Sequence, residues 1–376
     1  MAGIYFHIPF CKTRCSYCDF FSSVSETDIS KIIKAEIKEL ELKKEYLNNE
    51  IINTIYFGGG TPSFISEKDI SVLLNAVYKN YKVCDNPEIT IEVNPDDINI
   101  QKAKTYFSFG INRVSMGTQS FNDDILKFLD RRHDSKQAIN SIEILKKSGF
   151  NNISIDLIYG IPNLTNKVWE KTIEAALTLN IQHISAYHLS FEKGTKIHKQ
   201  LKTKEIFALH DDESVNQYNI LCKKLKNNSF EHYEISNFSL PEFNSKHNSN
   251  YWQGKKYAGI GPSAHSFDGN SRQWNVSNIE KYLTGIYLEA GYYEKENLSL
   301  NQKYNELLLT RLRTNKGITD KEIFDNFGEI FLTHFLTEIK LLTNCNKIKI
   351  TNNNNYGISE EDWFISDGII AQLCKI

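Results

Sequence analysis

The stretch "YFHIPFCKTRCSYCDF", residues 5–20, decides how the rest of this chain is read. It begins as an apolar β-type run and ends in three cysteines, Cys11, Cys15 and Cys18, spaced C-x3-C-x2-C with no fourth nearby. A structural zinc site takes four ligands, usually as two close pairs, and this spacing supplies three. His7 sits in the strand run rather than in the loop, which makes it a poor fourth ligand. An iron–sulfur cubane is normally held by four thiolates. Held by three, it keeps one iron open, and that vacancy is what a site for chemistry requires.

Composition frames this motif. The chain has 376 residues, 40% hydrophobic, with a formal net charge of -2. That is enough for a sizeable core, as two or three domains or one large barrel with an appendage. The charge gives no general pull toward nucleic acid or an anionic membrane. The local pairs Lys43-Lys44 and Lys223-Lys224 fall in helical patterns and read as solvated faces. No basic leader precedes the cysteines, and no apolar run approaches the ~18 residues of a membrane span, so a cytoplasmic protein is expected. There, thiols stay reduced and clustered cysteines bind metal or do chemistry. Cys84, Cys222, Cys345 and Cys374 are scattered and read as ordinary packing or surface thiols.

Outward from the motif, strand and helix patterns alternate. β-rich runs fall at 4–8, 53–57, 88–93, 112–116, 152–160 and 183–190, with a further one at 230–236. The clearest amphipathic helices are 26–47, with Thr27 or Ser25 as N-cap, and 66–81, opened by Ser66-x-x-Asp69. Repeated strand–helix units imply a parallel sheet. A complete eight-unit barrel takes about 250 residues. The units stop near residue 236, so the expected fold is α/β, a partial (β/α)6 TIM-like barrel, with a doubly wound open sheet as the competing architecture. Residues 237–284 lose the rhythm and read as a long ordered loop region. Residues 285–376 turn helical, with a hairpin of "KIKI" and "DWFIS" around "TNNNNYG". Helix, helix and hairpin suggest a winged-helix-like domain, and the absence of a basic recognition helix argues against DNA binding.

The three-cysteine motif, with Tyr17 just before Cys18 and a strand just before the loop, resembles that of the radical S-adenosylmethionine (radical SAM) superfamily. The resemblance implies a 4Fe-4S cluster on Cys11, Cys15 and Cys18. Its open iron binds S-adenosylmethionine and passes it one electron, releasing a 5′-deoxyadenosyl radical. Further stretches resemble, in order, those of the branch containing the oxygen-independent coproporphyrinogen III oxidase and the heme chaperone HemW. They are "YFGGGTPS" (56–63), "TIEVNPDD" (90–97), "SMGTQSFND" (115–123), "LDRRHD" (129–134) and "SIDLIYGIP" (154–162). From the residues alone, the glycines read as a βα turn, Glu92 as a solvated strand carboxylate, and Asp156 as a carboxylate that needs a partner inside an apolar strand. The resemblance implies S-adenosylmethionine contacts at Tyr5, Tyr17, Gly59, Gly60, Thr61, Glu92, Gln119, Arg131 and Asp156. It extends over essentially the whole chain.

Two details separate the branch members. The oxidase has a further cysteine two positions after the third, where this chain has Phe20. "HNSNYW" (247–252) resembles the HNxxYW signature tied to heme in the chaperone. A neutral imidazole is a common heme ligand, and Tyr251 and Trp252 are suited to pack on a porphyrin. Read without the resemblance, His247 is an ordinary loop histidine and Trp252 a loop anchor. His265 reads as structural, though it lies close enough to His247 in sequence to be a second heme-side candidate. "GIGPSA" (259–264) fits G-x-G-x-x-A, but Pro262 and its surroundings suggest a turn rather than a dinucleotide site. The resemblance thus implies a heme-binding chaperone that delivers heme to an acceptor hemoprotein, in the family's case a membrane respiratory enzyme, and it allows a homodimer. The alternative is the oxidase itself, decarboxylating propionates.

Overall fold

The structure, a computed structural model, describes residues 1–25, 29–351 and 354–375. Six strands pair in sequence order, all parallel: β1 (Ala2–Ile8), β2 (Ile52–Gly59), β3 (Val83–Val93), β4 (Arg113–Gln119), β5 (Ile153–Tyr159) and β6 (His183–His188). β1 and β5 are buried at all but one position, as expected of a parallel sheet covered on both faces. The crossovers are amphipathic helices, among them Ile29–Leu42, Glu67–Asn80, Ser135–Lys147 and Asn166–Thr178. Ser66 caps the second of these, its hydroxyl accepting from the Asp69 N–H. Asp134 and Gln137 form a reciprocal capping box on the third. The helix expected over 26–47 is described from Ile29 and ends at Leu42; Thr27 lies outside the described residues.

The stretch after residue 236 is not a loop. β7 (Glu231–Glu234) and β8 (Asn237–Ser239) add antiparallel strands beside β6. A helix, Lys246–Trp252, contains the HNSNYW sequence. β9 (Tyr257–Ile260) then runs parallel to β1 on the side away from β2. β10 (His265–Phe267), β11 (Ser271–Asn275) and β12 (Tyr293–Asn297) extend that side antiparallel. The result is one sheet of twelve strands, β12-β11-β10-β9-β1-β2-β3-β4-β5-β6-β8-β7. These added strands are three to five residues long and, like Gly3 opposite Tyr257, can pair far along the chain, so no local periodicity announces them. "GIGPSA" does follow a strand. It then turns into antiparallel β10 instead of opening a helix, with Gly261 at φ +102°.

A buried polar cluster fastens this extension to the first crossover helix. Lys43, expected on a solvated face, is buried instead. Its Nζ pairs with Glu39 at 2.8 Å and donates to the Gly259 carbonyl at 2.8 Å. Glu39 also accepts from the Gly261 N–H at 2.8 Å, the Asn275 amide at 2.7 Å and the Tyr282 hydroxyl at 2.5 Å. Lys224, by contrast, lies on a helix face, paired with Glu170 and Glu174.

The C-terminal part is winged-helix-like. Helices Leu300–Leu312, Asp320–Phe327 and Glu329–Asn344 pack with β13 (Ile318–Thr319), β14 (Ile348–Thr351) and β15 (Asn355–Ile358), which form a small antiparallel sheet in the order β13-β15-β14. The second hairpin strand is therefore "NYGI", not "DWFIS". The latter falls in the 3-10 turn Glu360–Ile365, where the Trp363 indole N–H donates to the Ile358 carbonyl at 3.0 Å. A buried tryptophan with a backbone partner mimics a strand residue in sequence. Asn352 and Asn353 of the turn lie outside the described residues.

Candidate functional site

Because β1 to β6 run the same way, their C-terminal ends meet on one rim, and the loops there enclose a cavity of about 400 Å³. Cys11, Tyr17, Cys15 and Cys18 enter it from the loop after β1. Gly59, Gly60 and Thr61 enter from β2, Glu92 from β3, Gln119 from β4, Asp156 from β5, and Arg131 from the segment after β4. Of the residues expected around S-adenosylmethionine, Tyr5 alone does not line this cavity. It faces a second one, with its hydroxyl 3.1 Å from His7 Nδ1. His133, two residues from Arg131, points elsewhere and hydrogen-bonds the Thr118 carbonyl at 3.1 Å.

The thiols are joined by an arc of donors. Arg131 Nη1 donates to Cys15 Sγ at 3.2 Å and its Nη2 to Asn94 Oδ1 at 2.6 Å and the Gly117 carbonyl at 2.5 Å. The Asn94 amide donates to Thr61 Oγ1 at 3.2 Å, and the Thr61 hydroxyl donates to Cys11 Sγ at 3.3 Å. The Thr61 hydroxyl and the nearby Arg131 charge favour thiolate over thiol at Cys11. Burial acts the other way, raising the pKa of Cys11 and pushing that of Cys18 to about 11. Bare thiolates at Cys11 and Cys18 are thus disfavoured, whereas iron would deprotonate them outright. Among the described residues, no three His, Cys, Asp or Glu side chains converge tightly enough for a single metal ion. A cubane asks for less convergence, since each thiolate binds its own corner iron. The donor set and its spacing fit such a cluster.

The glycine turn is shaped by the cysteine loop. A Cβ on Gly60 would lie 2.7 Å from the Phe10 carbonyl oxygen, so the β2 turn lies directly against the chain entering Cys11. Two carboxylates, Glu92 and Asp156, line the cavity. Glu92 accepts from the Tyr56 hydroxyl at 2.8 Å. Burial, reinforced by nearby Asp156, pushes its pKa to about 7. Burial also raises Asp156 to about 6, opposed by hydrogen bonds from Ser185 and Ser115 and by Arg113 and Arg131. A cationic ligand beside the pair would return both to carboxylate.

Asn94 and Arg113 were missed in the sequence. Asn94 lies two positions after Glu92, so the strand period of two was its signal. Arg113 is 1% exposed, and its signal was a lone charge opening an apolar run.

A second cavity, about 960 Å³, borders the first through Asp19 and Phe20. Tyr251 and Trp252 line it, together with His7 and His265. His247 lines neither cavity. Its Nδ1 is 2.8 Å from Thr54 Oγ1 and its Nε2 2.8 Å from the Tyr251 hydroxyl, and burial lowers its pKa to about 3. The imidazole expected to hold heme therefore has both nitrogens engaged inside the fold, because HNSNYW is a helix turned against β1 and β2 rather than an open loop. No helix among the described residues is long and apolar enough to cross a membrane.

The family described as Radical SAM superfamily matches residues 5–176. The heme chaperone HemW of Lactococcus lactis is 35% identical over 323 residues, 86% of this chain and 84% of that protein. The heme chaperone HemW of Bacillus subtilis is 32% identical over 332 residues, 87% of each. Among solved structures, the coproporphyrinogen III oxidase HemN of Escherichia coli, a radical SAM enzyme, superposes with a TM-score of 0.86 at 19% identity, covering 100% of this chain and 90% of that one. That likeness concerns the fold.

Proposed function

The chain belongs to the radical SAM superfamily and, within it, to the family of the heme chaperone HemW, and on that premise we propose that it binds heme and hands it to an acceptor hemoprotein. The observation that carries this reading is the 35% identity to a heme chaperone across 86% of the chain. Phe20, standing where the oxidase has an additional cysteine, supports it.

In this reading Cys11, Cys15 and Cys18 hold a 4Fe-4S cluster, and S-adenosylmethionine lies beside it. The bound pair supplies one-electron chemistry. The chain's own groups do the positioning. Thr61 and Arg131 steady the Cys11 and Cys15 sulfurs through hydrogen bonds. Glu92 and Asp156 offer negative charge to a cationic ligand, and Tyr56 holds the Glu92 carboxyl in place. Gly59, Gly60, Gln119 and Tyr17 complete the wall. In this reading the protein works in the cytoplasm and meets an acceptor hemoprotein, in the family's case a membrane respiratory enzyme, and the family likeness allows it to form a homodimer.

The test is an anaerobic assay of reconstituted protein with reductant, S-adenosylmethionine and coproporphyrinogen III, run beside heme transfer to an apo-cytochrome. Transfer of heme without porphyrin product is expected. Catalytic formation of protoporphyrinogen would make the protein an oxidase and overturn the reading.

A further inference from the structure

We propose that heme rests in the second cavity and that His265, not His247, supplies the nitrogen to its iron. This deepens the heme-chaperone reading and rests on it.

The cavity lies between β9–β11, the helix Lys246–Trp252 and the helix Leu300–Leu312, and a group of aromatic side chains, Tyr251, Trp252, Tyr257 and Phe267, lines it beside charged and polar ones. Flat, apolar walls suit a porphyrin face. Two histidines border it. His7 has both ring nitrogens engaged, Nδ1 with the Tyr5 hydroxyl at 3.1 Å and Nε2 with the Phe21 carbonyl at 2.8 Å. The His265 ring has no hydrogen-bond partner among the described residues and leans on Trp274 at 6.4 Å. It is exposed at the start of β10. A neutral imidazole with a free nitrogen is what heme iron takes. Partial burial and nearby Arg272 lower the His265 pKa, which favours the neutral ring.

Charge around the rim points the same way. Arg272 and Arg311 are already paired, with Glu306 at 2.6 Å and Glu322 at 2.7 Å. Lys255 and Lys303 also border the cavity and form no ion pair among the described residues; Lys303 donates only to the Asn270 side-chain carbonyl at 2.7 Å. Two ammonium groups without an ion-pair partner among the described residues suit the two propionates of heme. Phe20, 63% exposed, places an apolar ring between this cavity and the cysteines. A heme bound here therefore lies next to the cluster loop.

The test is a hemin titration of the reconstituted full chain, followed by the Soret band. His265→Ala removes an exposed ring that makes no hydrogen bond among the described residues, so its thermal midpoint should match wild type. Binding should weaken at least about tenfold, the loss of one good ligand interaction, and the band should shift. Free imidazole added to the variant should restore the wild-type band, which a merely structural role would not produce. The double variant Lys255→Gln, Lys303→Gln should bind hemin more weakly while binding hemin dimethyl ester like wild type. Unchanged affinity and spectrum in His265→Ala, with wild type binding hemin, would overturn this site and leave the chaperone reading intact. A wild-type protein that takes up no hemin would overturn the chaperone reading itself.

Discussion

Replacing His247 with alanine should weaken the fold, and the structure sets the size of the effect. The imidazole is 2% exposed and bridges Thr54 on β2 to Tyr251 on its own helix. Removing it leaves Thr54 Oγ1, itself fully buried, and the Tyr251 hydroxyl without their main partners. Each unsatisfied buried group costs about 1–3 kcal/mol, and the ring-sized hole adds to that. A loss of about 3–5 kcal/mol follows, large against a total stability of ~5–15 kcal/mol. Urea unfolding at pH 7 measures it. A second readout is pH. Because burial holds His247 at about 3 in the folded chain, against about 6.5 unfolded, the unfolded state binds the extra proton between these values. The wild type should therefore lose about 2 kcal/mol from this group as pH falls from 7 to 5, and more toward pH 3. In His247→Asn, which cannot titrate, that part of the slope should vanish. A His247→Ala protein with the wild-type urea midpoint, or an Asn variant with an unaltered pH slope, would refute the reasoning. A hemin-binding defect in His247→Ala would then be read beside its stability, because the residue acts on the second cavity through the helix that carries Tyr251 and Trp252.

Serine at Cys11, Cys15 or Cys18 should abolish the broad cluster absorbance after anaerobic reconstitution; four irons retained per chain would exclude these residues as the ligands. Arg131→Met removes the donor to Cys15 and strands the Asn94 and Gly117 oxygens. It should cost about 2–4 kcal/mol and speed loss of cluster absorbance in air, whereas wild-type bleaching kinetics would count against the donor arc. A Cβ at Gly259 would meet the His265 carbonyl oxygen at 2.0 Å, so Gly259→Ala should destabilise by about 3 kcal/mol, read as a lowered thermal midpoint. An unchanged midpoint would mean that β9 and β10 do not pack as described.

The sequence by itself determined the rim of the barrel. Each βα unit carries its own signals: an apolar run, a cap such as Ser66, and a polar residue at the strand end. Parallel strands place those ends together, so Cys11, Gly60, Glu92, Gln119 and Asp156 meet without any long-range information beyond the sheet itself. Only the tertiary structure decided the other half. β9 joins β1 across more than two hundred residues of chain, and its short strands have no period long enough to read. That pairing, with the Glu39–Lys43 cluster behind it, turned an apparent loop into part of the sheet. It also separates the two histidines. In sequence His247 carries the motif and His265 stands in a turn, but burial and hydrogen bonding depend on which surfaces meet. The helix Lys246–Trp252 packs His247 inward against Thr54, while the turn into β10 leaves His265 free at the cavity edge. Residue identity supplies a ligand's chemistry; only packing decides whether its nitrogen remains available.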